Sequence, residues 1–278
     1  MKKKMLLALT GVAVVAAGCG TTATPKDDTT DKSDLSLEEV FAKSNARQSE
    51  IKSFNATMTM TQAMELGDGS TIDTSANMKM GAVLEPVQFF IDGTISMTEP
   101  VSNEKIDIPM KMYMTADDGF YMYESTADAW FKLPQDATLD EMLSQAGVQA
   151  NAVDQLKLLE KFADDFTFEQ TNTDYILTLK ASGDKFKQLI EEQIALTMPD
   201  APIDQLEELS FDDTSYQLTI DKKTYDMKEL KLDMIISMEI EGTTAKIDQK
   251  TTTTYDDFNN TTITIPQDVL DNAQEINY

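Results

Sequence analysis

Apolar and polar side chains alternate over most of this chain, and the points where the period changes divide it into elements. Met5 to Ala17 is an unbroken run of apolar and small residues behind Lys2, Lys3 and Lys4. Gly20 to Asp34 carries Thr, Asp, Lys and one Pro, with no large apolar residue and no period, the composition of a flexible segment. Ser36-Leu37-Glu38-Glu39 has capping-box spacing, and Leu37, Val40, Phe41, Ser44 and Ile51 then recur on one side of a helix to about Lys52. From Phe54 the period is two: Phe54, Ala56, Met58 and Met60 alternate with Asn55, Thr57, Thr59 and Thr61, which predicts a strand. Gly67-Asp68-Gly69-Ser70 supplies a turn, and Ile72, Ala76, Met78 and Met80 mark the next strand, which Pro86 breaks. Phe89, Ile91, Ile95 and Met97 line another strand, and Ile106, Ile108, Met110, Met112 and Met114 one more. Asp117-Asp118-Gly119 turns the chain into short strands at Phe120 to Tyr123 and Trp130 to Leu133.

The second half adds helices between strands. Thr138-Leu139-Asp140-Glu141 is a second capping box, opening a helical region to about Phe162, with Gly147 and Asn151 as interruptions. Strands are expected at Phe166 to Glu169 and Tyr175 to Leu179, then a helix through Phe186, Leu189, Ile190 and Ile194 that ends by Pro199. The last third predicts strands at Tyr216 to Ile220, Leu230 to Ile240, Thr243 to Tyr255 and Thr261 to Ile265. Strands predominate and are one-sided, so the expected fold is a single α+β domain. A mostly antiparallel sheet of this size should curve, with the helices covering its concave face.

The N-terminal run is the h-region of a secretory signal behind a basic n-region. As a helix, its roughly 13 residues rise ~20 Å, short of the ~30 Å core that a spanning segment must cross. Ala16-Ala17-Gly18-Cys19 ends it with small residues before the chain's single cysteine. This resembles the lipobox at which bacterial lipoprotein precursors are diacylated and cleaved, although Leu is commoner where Ala16 stands. The alternative, a free Cys19 thiol beside an ordinary cleavage site, leaves an exported cysteine open to oxidation. The expected organisation is therefore a signal peptide over 1–18, a lipidated Cys19 with a tether over 19–35, and one domain over 36–278. At full stretch the tether could hold the domain ~50 Å from its anchor. The chain would then sit outside the cytoplasm, on the outer face of the cell membrane.

Net charge narrows the partners. A formal charge of −26, more negative once Lys2 to Lys4 are removed, speaks against nucleic acid and against a basic membrane-binding patch. Membrane residence must then come from the acyl chains. The scarcity of arginine, with Arg47 alone among the cations, and the Thr- and Asp-rich tether point to a low-GC Gram-positive source.

The order of lipobox, polar tether, helix, meander, the Asp118-Gly119-Phe120-Tyr121-Met122-Tyr123 stretch running to Trp130-Phe131-Lys132-Leu133-Pro134, helical insertion and further strands resembles the incomplete-barrel lipoproteins of the LolA/LolB and LppX/LprG-like superfamily. That resemblance implies an incomplete β-barrel and a hydrophobic ligand, a lipid or an acyl chain, between sheet and helices. A Gram-positive cell has no outer membrane, so the carrier role of the Gram-negative members does not transfer.

Reactive chemistry is scarce. The chain has no histidine, which removes imidazole acid–base catalysis and His-based zinc sites, and acylation of Cys19 would remove thiolate chemistry. Hydrolase-elbow and phosphate-loop motifs are absent from the sequence. The 49 acidic residues make any one carboxylate pair uninformative, and the acidic turns at Asp68 and Asp117 lack calcium-loop spacing. No enzyme, cofactor or metal is expected. The informative residue is methionine: Met58, Met60, Met78, Met80, Met110, Met112, Met114, Met234 and Met238 fall on the apolar sides of four strands. Unbranched and polarizable, methionine suits a surface that adapts to irregular apolar shapes. These nine residues are the expected lining of a hydrophobic ligand cavity. The alternative is a filled core in a module that meets a protein or the cell wall, with the partner unspecified.

Overall fold

The computed structural model describes residues 22–99, 102, 104–133, 158–160, 162–181, 187–189, 192, 209–240 and 243–276. Cys19, most of the expected helix at 138–162 and much of that at 186–199 lie outside the described residues. One sheet dominates. Its strands are β1 (Thr24–Pro25), β2 (Ser53–Glu65), β3 (Thr71–Leu84), β4 (Val87–Thr98), β5 (Lys105–Thr115), β6 (Gly119–Glu124), β7 (Ala129–Lys132), β8 (Phe166–Gln170), β9 (Asp174–Ala181), β10 (Leu209–Asp221), β11 (Met227–Ile240), β12 (Thr243–Asp256) and β13 (Gln274–Glu275). They lie side by side in the order β1-β8-β9-β10-β11-β12-β2-β3-β4-β5-β6-β7-β13, giving a curved sheet that does not close. The two-residue edge strands β1 and β13 pair in parallel and every other pair is antiparallel.

Helix α1 (Leu37–Gln48) starts as its sequence requires. The Ser36 hydroxyl accepts the Glu39 N–H at 3.2 Å, and the Glu39 carboxylate accepts the Ser36 N–H at 2.8 Å, satisfying two N–H groups that a bare helix end leaves open. Twelve residues at 1.5 Å give a helix of ~18 Å, enough to cross the four strands β8 to β11, which at ~4.8 Å spacing span ~14 Å, and α1 covers them. Leu37, Val40 and Phe41 pack there with Phe166, Phe168, Tyr175, Leu177, Leu179, Leu218 and Ile220, joined by Leu158, Leu159, Phe162 and Leu189. The Phe41 ring meets Phe166 edge-on, with centroids 6.0 Å apart. The far end of the helix is fixed to the β10–β11 turn. There the Ser44 hydroxyl donates to the Tyr225 carbonyl at 3.0 Å, and Arg47 Nε donates to Asp226 Oδ1 at 2.6 Å.

The structure departs from the sequence expectations in three places. Thr261 to Ile265 is not a strand: the Thr261 N–H bonds the Ser53 hydroxyl rather than a ladder carbonyl, and Ile263 and Ile265 are buried. The segment leads into a short helix α2 (Gln267–Asn272) that the alternation concealed. Helical cover is also divided. Among the described residues, α1 covers only the β8–β11 part of the apolar face, while α2 lies on the other face, where Ile265 and Val269 pack with Tyr121, Tyr113 and Trp130. Third, residues 22–35, expected to be a free tether, lie against the sheet edge from β1 onward.

Candidate functional site

Ladder register decides which side chains share a face, because partners directly opposite in an antiparallel pair point the same way. Met58 faces Met78 and Met60 faces Ala76 across β2 and β3. Met80 faces Ile91, and Met78 faces Gly93, across β3 and β4. Gly93 then faces Met110, Ile91 faces Met112 and Phe89 faces Met114. On the other side Thr253 faces Met58 and Thr251 faces Met60, and β11 continues with Leu232 opposite Thr251, Met234 opposite Gln249 and Met238 opposite Ala245. All nine expected methionines therefore lie on one continuous face, the one that α1 covers farther along.

They are not equivalent on it. Met234 packs against the filled core under α1. Met114 is buried with Phe89 and Phe120, and Met112 packs against that small cluster. Met58, Met60, Met78, Met80, Met110 and Met238 are half-buried and belong to none of the described buried clusters. Leu84 and Ile106, large apolar side chains exposed at 44% and 45%, are on this face too. At the centre Gly93 makes a notch. A Cβ there would stand 2.3 Å from the Asn77 carbonyl oxygen and 2.9 Å from Met78 Cγ, so the Met78 side chain crosses the space that a larger residue would fill.

The same parity adds Met64, Met97 and Met122, opposite Ile72, Thr74 and Met112, readable from the alternation that found the others. A polar row is less legible. Thr214, Met234, Gln249, Gln62 and Thr74 succeed one another on neighbouring strands, and the Thr214 hydroxyl is buried without a hydrogen-bond partner. Tyr216 belongs to the core under α1 and Tyr255 packs against that core. Burial raises both hydroxyls above the ordinary tyrosine range, Tyr216 the further, with Tyr255 adding to its shift.

Two open depressions, of about 380 and 390 Å³, share Asp248 and Lys250 and are lined mainly by the polar face, with Asp73, Ser96 and Lys105 around one and Asp213, Ser215 and Asp233 around the other. Among the described residues no cluster of acidic, histidine or cysteine side chains could hold a metal ion, and no helix is long and apolar enough to cross a membrane. The Asp68 carboxylate accepts the Ser70 hydroxyl and N–H, which lowers its pKa and fastens the β2–β3 turn.

No curated protein sequence matches the chain. Among solved structures it is similar to a LolA superfamily protein from Nitrosomonas europaea, at 8% identity and a TM-score of 0.22, over 85% of this chain and 97% of that one. A phycobiliprotein lyase from Guillardia theta is similar at 10% identity and a TM-score of 0.21, over 80% and 93%. In sequence, residues 36–274 match the family described as "Family of unknown function (DUF6612)", which takes in α1 and nearly the whole sheet, and the chain belongs to that family.

Proposed function

We propose that this chain is an extracytoplasmic lipoprotein, anchored through a diacylated Cys19, that binds a hydrophobic ligand on the methionine face of β2 to β5. The observation that carries the reading is the continuous apolar surface around Met58, Met78, Gly93 and Met110, half-buried and outside the described buried clusters. Apolar contact contributes ~25 cal/mol per Å² whatever the ligand's outline, and methionine follows irregular shapes. A lipid or acyl chain fits those terms. The polar row through Gln62 and Gln249 gives such a ligand a place for its hydrogen-bonding groups. No catalytic step is assigned. The alternative is an interaction module that meets a protein or the cell wall through the acidic face, where the two polar depressions lie.

The test is titration of the Cys19→Ala chain with a fluorescent fatty acid. The proposal expects saturable binding that Met78→Gln and Met110→Gln weaken while the melting temperature stays nearly constant. Absence of saturable binding to the unsubstituted face would leave the interaction module.

A further inference from the structure

A segment with the composition of a tether is laced to one end of the sheet. Thr22 bridges Ser36, so residues 22–36 form a closed loop. Gln170, 1% exposed, fastens it from inside. Its Nε2 donates to the carbonyls of Ala23 and Ser33 at 2.8 and 3.0 Å, and its Oε1 accepts the Ser33 N–H at 2.8 Å. Asn172 Oδ1 accepts the N–H groups of Thr30 and Asp31 at 2.8 and 2.9 Å. The Tyr175 hydroxyl donates to Ser33 Oγ at 2.7 Å, and Lys222 Nζ donates to the Asp31 carbonyl at 2.6 Å. These groups come from β8, β9 and the β8–β9 and β10–β11 turns, all at the same end of the strands.

Cys19 stands three residues before Thr22. A chain reaches at most ~3.6 Å per residue, so about 11 Å can separate their Cα atoms, where a free segment to Leu35 would have allowed ~50 Å. A bilayer is ~30 Å thick in hydrocarbon and ~40–45 Å with its headgroups, so this leash spans roughly two headgroup layers. We infer that the end of the sheet carrying the loop, with the β8–β9 and β10–β11 turns, rests against the outer leaflet, and that the β2–β3 turn points away from it. The inference rests on the reading of Cys19 as the lipid-bearing residue. Its partner is the lipid surface itself, and the buried Gln170 side chain sets the standing distance.

The experiment uses the full lipidated chain in vesicles whose lipids carry an energy-transfer acceptor. Acylation blocks Cys19, so one introduced cysteine takes the donor dye. Lys223→Cys reports from the β10–β11 turn and Thr71→Cys from the far end, about 30 Å away along the strands by register at ~3.3 Å per residue. Transfer should be several-fold stronger from Lys223→Cys, and Gln170→Ala or the exposed Asn172→Ala should shrink the difference by lengthening the leash. Equal transfer from both sites in an anchored chain overturns the inference and leaves the anchor intact. Transfer and membrane association that persist in a Cys19→Ala background overturn the anchor, and the inference with it.

Discussion

Among the described residues the apolar face of this sheet is filled under α1 and largely half-buried across β2 to β5, so equal-looking truncations should cost unequally. Phe41 is fully buried and packs on Phe166. Phe41→Ala removes a whole ring from a closed core, a change that costs ~3–5 kcal/mol. In a domain of this size each kcal/mol moves the midpoint by ~2–4 °C, so Tm should fall by roughly 6–20 °C. Met60 and Met110 are half-buried. Full burial of a methionine side chain contributes ~1.5–3 kcal/mol, so Met60→Ser or Met110→Ser should forfeit about 1 kcal/mol, or ~2–4 °C. Thermal melts followed by circular dichroism in a Cys19→Ala background measure all three. If Met60→Ser and Met110→Ser lower Tm as far as Phe41→Ala does, the methionine half is a closed core and the division of the face is wrong.

Other consequences follow from single contacts. Gly93→Ala places a methyl 2.3 Å from the Asn77 carbonyl oxygen and should destabilise by ~1–3 kcal/mol in urea denaturation, because backbone cannot yield as a side-chain tip can. Arg47→Leu leaves Asp226 at the β10–β11 turn without its 2.6 Å partner and should cost ~2 kcal/mol by the same assay, much of it from the stranded carboxylate. Burial raises the Tyr216 and Tyr255 hydroxyls, so the folded chain keeps protons there that the unfolded chain releases. Their contribution to stability is whole below pH ~10 and is lost as pH rises above it. Absorbance at 295 nm should accordingly show exposed tyrosines ionising first and these two only together with unfolding.

Much of the fold was legible because period-two alternation is a direct image of a one-sided strand. Every strand with that pattern from Phe54 to Tyr123 is present, and the Ser36–Glu39 capping box opens α1 as its spacing required. The alternation also carried the candidate site, since parity alone puts Met58, Met78 and Met110 on one face once the strands pair in sequence order. Three features were hidden for physical reasons. Thr261 to Ile265 alternates like a strand, but the Thr261 N–H bonds the Ser53 hydroxyl rather than a ladder carbonyl, and Ile265 packs with Val269 of α2. The loop at 22–36 has no apolar period because it is held by the Gln170 and Asn172 side chains, contacts across more than 130 residues that no local pattern encodes. The difference between the filled part of the apolar face and its half-buried part, among the described residues, depends on where α1 lies, and alternation is blind to what covers a strand.

If the methionine face carries a hydrophobic ligand, mass spectrometry of an organic extract of the purified Cys19→Ala chain should find it. Lipid or fatty acid should be present in stoichiometric amount, and reduced when Met110→Trp fills part of the face. An extract free of lipid, from a chain that also binds no apolar probe and is clearly destabilised by Met110→Trp, would contradict this.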